Sequence, residues 1–138
     1  MKLTRQYDKM DCGPSCLAMV ASHYGKEISL SDLREKCFIT KEGVSLLGID
    51  EGAKSLGFET LSGAMTLEDL KEMDFENYPC IIHWNSNHFV GLKGYEKGTF
   101  GTKKKWKIAD PGHGFISLDD EKFAKTWLGE KEQGIIFF

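Results

Sequence analysis

Cys12, His88 and Asp110 are the residues of this chain whose types and surroundings could together perform acyl transfer through a cysteine nucleophile. Cys12 stands directly before Gly13-Pro14. The run Ser15, Cys16, Leu17, Met19, Val20 and Tyr24 predicts a helix with proline in its first turn and Gly25 as its stop. The unpaired N–H groups and the positive dipole end of such a helix point at Cys12 and favour a thiolate, the reactive form of the side chain. Gly13 has no side chain to hold a substrate backbone off, and Pro14 gives up an N–H that a helix start leaves unpaired anyway. The competing reading of a free cysteine is a small buried core residue, and it is adopted for Cys16, Cys37 and Cys80. Cys12 and Cys16 as a metal pair are disfavoured, because two thiolates on one helix without a second close cysteine pair make poor zinc ligands.

A cysteine nucleophile needs an imidazole within reach and a third group to orient that imidazole. The chain has four histidines. His23 falls about three helical turns beyond Cys12, too far to touch it, and His113 lies between glycines in an expected turn. His83 and His88 share the stretch His83-Trp84-Asn85-Ser86-Asn87-His88. His88 to Leu92 and Trp106 to Asp110 read as two arms of a hairpin with its loop near Gly98-Thr99-Phe100-Gly101. A bulge-free register sets His88 opposite Asp110, Val90 opposite Ile108 and Leu92 opposite Trp106. Pro111-Gly112 then marks the strand end. Singly, each residue has a bland reading: a polar rim histidine, a plain Asp-Pro-Gly turn. Together with Cys12 they fill a complete set of roles, with His83 as the runner-up base.

The elements that must position these groups divide unevenly along the chain. After the first helix, Ser29 with Asp32 predicts a capped helix through Leu33 and Cys37. Ser45 opens another carrying Leu46, Ile49, Ala53 and Leu56 and ending at Gly57, and Thr66 with Asp69 opens a shorter one. Strands are expected at Phe58 to Leu61, Cys80 to Trp84, His88 to Leu92, Trp106 to Ala109, Gly114 to Ser117 and Gly134 to Phe138. Ser117 with Asp120 predicts a further helix through Phe123 and Trp127. Glu96 to Lys105 reads as a solvated loop. A helical lobe packed on a mostly antiparallel sheet makes the fold class α+β.

With 138 residues, 41% hydrophobic and 28% charged, and neither repeat nor linker, residues 1–138 read as a single globular domain. A net charge of −3 and pI of 5.8 give no field that would gather phosphate backbones, so nucleic acid is not an expected partner. No apolar run is long enough to enter and cross a bilayer, and the N-terminus lacks a secretory signal. The expected setting is the cytoplasm, where the four cysteines stay reduced. Gly134-Ile135-Ile136-Phe137-Phe138 ends without a polar tail, as a piece of a longer chain would.

The segment Gln6-Tyr7-Asp8-Lys9-Met10-Asp11-Cys12-Gly13-Pro14-Ser15-Cys16-Leu17-Ala18-Met19 resembles the N-terminal peptidase domain of bacteriocin-processing ABC transporters, the double-glycine leader peptidases of peptidase family C39. The resemblance continues in order through Tyr24-Gly25, Leu33-Arg34, Gly43-Val44-Ser45, Ala53 to Phe58, Tyr78 to Trp84, Asn87-His88-Phe89-Val90, Ala109-Asp110-Pro111, Phe123 and Trp127-Leu128-Gly129. It implies a papain-like cysteine peptidase fold and removal of a leader peptide by cutting after a Gly-Gly pair. It also implies fused transmembrane and nucleotide-binding domains, with ATP and Mg needed only there, and a place on the cytoplasmic side of the bacterial plasma membrane. The roles it implies are Cys12 as nucleophile, His88 as base, Asp110 as orienter and Gln6 as oxyanion donor. The leader would lie as an amphipathic helix in an apolar groove, and Trp84, Phe89 or Tyr7 could wall the glycine cleft. Two other readings are a non-cleaving cargo-docking domain, disfavoured because every catalytic position is kept, and a papain-like acyltransferase or amidase.

Overall fold

The computed structural model describes residues 1–6, 11–37, 45–85, 88–96 and 104–137. Three helices come first: α1 (Cys12–His23), α2 (Leu30–Lys36) and α3 (Leu46–Ser55). Then follow β1 (Ser62–Met65), α4 (Leu67–Lys71), β2 (Cys80–Trp84), β3 (His88–Glu96), β4 (Lys105–Asp110), β5 (Gly114–Leu118), α5 (Asp120–Leu128) and β6 (Gly134–Phe137). The strands form one sheet in the order β1-β6-β2-β3-β4-β5, with every pairing antiparallel. The class is α+β, as the sequence predicts.

Alternation along the strands sends side chains to two cores. Ile81, Phe89, Ala109 and Phe137 face α1, α2 and α3, meeting Leu17, Met19, Leu33, Ile49 and Ala53. Their neighbours Ile82, Val90, Leu92, Ile108 and Ile136 face the other way, onto Leu70 of α4 and Phe123 and Trp127 of α5. Trp106 stacks on Phe123 at 4.1 Å between ring centroids. The helical front half therefore covers one face, while two later helices cover the other.

Local signals explain most boundaries. Ser29, Ser45 and Thr66 each accept a hydrogen bond from the backbone N–H three residues on, at 3.2, 3.1 and 3.2 Å. Gly25 closes α1 and Gly57 closes α3 with φ of 80° and 89°, a region costly for residues with a Cβ.

Three expectations are corrected. Phe58 to Leu61 is not a strand. Phe58 N–H caps α3 at Ala53 O (3.2 Å) and the Thr60 hydroxyl bonds the Asp50 carboxylate, so this stretch is tied back to its helix, and β1 begins at Ser62 where pairing with β6 is available. The cap of α5 is Asp119, whose carboxylate accepts from Lys122 N–H at 2.9 Å. Ser117 belongs to β5 and receives Lys107 Nζ instead. Finally, the expected loop Glu96 to Lys105 is strand at both ends, since these two residues pair with each other. Its centre, with the glycines at 98 and 101, lies outside the described residues.

Candidate active site

Cys12 is the first residue of α1 and is 7% exposed. Helix geometry thus puts its sulfur beside the first-turn N–H groups, and α1 packs on the same core as Phe89 of β3 and Ala109 of β4. His88 opens β3, after a three-residue connection from Trp84 in which Asn85 takes φ of 53°. Asp110 ends the neighbouring antiparallel β4. A strand that starts and a partner that stops meet at one end of the sheet.

The predicted register of that hairpin is wrong by two residues. Gly91 faces Ala109 and Leu92 faces Ile108, and the register shifts again between Leu92 and Gly94. Continued by one residue, this pairing sets Val90 across from Asp110, so His88 is a diagonal neighbour. An even shift keeps side chains on the same face, and diagonal neighbours remain within reach of long side chains. His88 Nε2 donates to Asp110 Oδ1 at 2.8 Å, and Cys12 is near enough to the same imidazole to act on its charge. With Nε2 taken by the carboxylate, Nδ1 is the nitrogen left for the sulfur.

Asp110 is 3% exposed and accepts two more bonds, from Gly112 N–H at 2.8 Å and His113 Nδ1 at 3.0 Å. Burial alone would push this carboxyl up. The His88 bond, the Gly112 N–H, the His88 charge and His113 outweigh it and hold it down at about 2. Burial likewise works against charge on His88, but the Asp110 hydrogen bond and the nearby Cys12 raise it to about 9. The other thiols are ordinary buried groups: desolvation pushes Cys37 up to about 11 and Cys80 to about 12, and holds Cys16 well above the ordinary thiol value.

These shifts fix a pH window for stability. A histidine raised on folding contributes fully below its unfolded value of about 6.5, and the contribution fades as pH rises through about 9. A carboxylate lowered on folding contributes above about 4 and loses it as pH falls through about 2. The urea midpoint of the native chain should therefore exceed that of His88→Ala by most between about pH 4 and 6.5, with the gap narrowing on both sides. A gap independent of pH would contradict this electrostatic account.

Gln6 reaches the site from the N-terminal segment. Its N–H donates to Pro111 O at 3.1 Å, and its side chain lies against the Asp110–Gly112 turn: a Cβ on Gly112 would sit 3.4 Å from Asp110 Oδ1 and 3.7 Å from Gln6 Oε1. All four sequence-predicted residues thus gather at one end of β3 and β4. His83, the runner-up, pairs across from Phe89 and packs its ring on it at 5.1 Å, while Asp110 is engaged by His88. Trp84 is committed to the core on Phe123 rather than to a cleft wall, Phe89 is buried against α1, and Tyr7 lies outside the described residues. The roles of three residues escaped the sequence reading. His113 could have been found from Asp-Pro-Gly-His, where a turn returns residue three onto the aspartate. The pair Asp11–Arg34, which holds the residue next to Cys12, had no spacing signal at all. Among the described residues, no group of three His, Cys, Asp or Glu is placed to hold a metal, and no helix is long and apolar enough to cross a membrane.

Comparison with known proteins gives a consistent picture. The family model described as "Peptidase C39 family" matches residues 1–131. The Colicin V secretion/processing ATP-binding protein CvaB of Escherichia coli is 32% identical over 124 residues, which is 90% of this chain but only 16% of that protein. The crystal structure of the peptidase domain of Streptococcus ComA, a bi-functional ABC transporter involved in quorum sensing, superposes with a TM-score of 0.83 at 33% identity, covering 99% of this chain and 96% of that one. A double glycine motif protease from an AMS/PCAT transporter, solved in complex with the leader peptide, gives 0.84 at 32% identity, with 99% and 89% covered.

Proposed function

This chain belongs to the peptidase C39 family, with the papain-like α+β fold of that family, and on that premise we propose that it is a cysteine endopeptidase domain that cuts a leader peptide after a Gly-Gly pair. Its substrate is the precursor of a bacteriocin or similar secreted peptide. Its other partners are the transmembrane and nucleotide-binding domains of an ABC exporter, and its place is the cytoplasmic side of the bacterial plasma membrane. The observation that carries the reading is the His88–Asp110 hydrogen bond of 2.8 Å at the sheet end served by the opening of α1, where Cys12 stands near enough to act on the same imidazole.

In this reading His88, held protonated at neutral pH, stabilises a Cys12 thiolate. The sulfur attacks the carbonyl carbon of the second glycine. The carbonyl oxygen becomes an oxyanion, which Cys12 N–H and the Gln6 side-chain amide stabilise as donors. The C–N bond breaks as His88 protonates the departing amine, leaving a thioester on Cys12. Water, deprotonated by His88, then hydrolyses the thioester and restores the thiolate–imidazolium pair. Asp110 keeps the imidazole oriented and balances its charge. Every proton and bond in this sequence is handled by side chains, so the reaction needs no metal or organic cofactor. ATP and Mg belong to the attached transporter.

The test is cleavage of a synthetic precursor with a Gly-Gly leader by the purified domain. Mass spectrometry should find one cut, after the second glycine, and none when both glycines are replaced by leucine. Tight binding without cutting would replace this reading with that of a docking domain.

A further inference from the structure

Asp11 precedes Cys12 and is 0% exposed. Its carboxylate is gripped by Arg34 of α2, with Nε donating to Oδ1 at 2.6 Å and Nη2 to Oδ2. Aspartate is among the favoured N-cap residues, and Asp11 holds the N-cap position of α1, yet its side chain makes no cap bond. Ser29, Ser45, Thr66 and Asp119, at the same position of their own helices, all cap. An N-cap carboxylate takes the N–H of the second or third helical residue. Here the third is Pro14, which has none, and the second is Gly13, directly after Cys12. A carboxylate turned there would bring negative charge to the helix end that the reaction uses for negative charge.

We propose that Arg34 is a positioning residue for the peptidase reaction: it draws the Asp11 carboxylate off the N-terminus of α1 and cancels its charge, leaving that helix end to hold negative charge on the Cys12 sulfur. The proposal rests on Cys12 being the nucleophile. Among the described residues, the ionisable groups that bear on the sulfur are His88 of β3, with Asp110 of β4 and His113 behind it, Cys16 of α1, and the Asp11–Arg34 pair next to Cys12 in the chain; His83 of β2 is held toward neutrality by its burial, by Lys131 and by His88. Arg34 is the cation of this set whose charge does not titrate in the working range. Its bidentate fork also fixes direction, which a point charge would not.

The experiment follows alkylation of Cys12 by iodoacetamide against pH, read by peptide mass mapping in the intact chain, together with kcat and KM on a Gly-Gly leader peptide. Arg34→Gln should move half-alkylation of Cys12 upward by about one pH unit and lower kcat about tenfold at neutral pH, with KM within about twofold. Asp11→Asn combined with Arg34→Gln should recover most of both losses, because the carboxylate that needed cancelling is gone. If Arg34→Gln does not fold, Arg34→Lys is read in its place, with a smaller shift of the same sign. An unshifted alkylation profile in a folded Arg34 variant, or a double variant no better than the single one, overturns the proposal. Failure of the underlying reading looks different: Cys12→Ala would go on cutting.

Discussion

Alanine at position 12 is expected to lower kcat/KM for a Gly-Gly leader peptide by about 10⁴-fold or more while leaving the chain folded. The size of the loss follows from covalent catalysis. Without the sulfur no thioester can form, and what remains is substrate binding beside an oxyanion site with nothing to attack the carbonyl. Folding should survive because the side chain is small and sits at a helix start, where α1 is anchored by Leu17, Met19 and Ala21 deeper in the core. Circular dichroism and a urea midpoint close to native would separate lost chemistry from lost structure. Cys16→Ala is the control: its thiol is buried and held protonated by desolvation, so cutting should continue at a rate within about threefold of native.

The second large effect is expected at His88. His88→Ala removes the cation beside the sulfur, the acid that protonates the leaving amine and the base for the thioester step, and should cost about 10³-fold in kcat. The same replacement at His83 should stay within about threefold, because His83 packs on Phe89 and has no share of the Asp110 carboxylate. Steady-state rates of the two variants at the same pH decide between the two histidines. A large loss at His83 with little at His88 would move the base one strand over.

The site was legible in the sequence to the extent that local rules carried it. A helix opening on Cys-Gly-Pro is a local pattern, and so is a strand ending in Asp-Pro-Gly. The three caps at Ser29, Ser45 and Thr66 follow the same short-range chemistry. The hairpin register is different, because a bulge-free count leaves out the shift between Leu92 and Gly94, and glycines inside β3 hint at a bulge without fixing the register. The pairing of His88 with Asp110 survived that error only because the slip near the site is even. Ser117 misled for a related reason: the Ser-x-x-Asp pattern is there, but pairing with Lys107 keeps the residue in β5 and hands the cap to Asp119. Arg34 and Asp11 lie 23 positions apart, on elements brought together only by the packing of α2 on α1, and no period or spacing encodes their meeting. The family resemblance, by contrast, was visible from end to end, since it rests on many short matches in fixed order rather than on any one contact.

Rapid acid quench of the native domain with a Gly-Gly leader substrate, followed by tandem mass spectrometry, addresses the bond on which the chemistry turns. A leader acyl group in thioester linkage to Cys12, its C-terminus the second glycine, is the predicted species. Steady cleavage with the acyl group on another residue, or with none formed at any quench time, would contradict the assignment of Cys12 as the attacking sulfur.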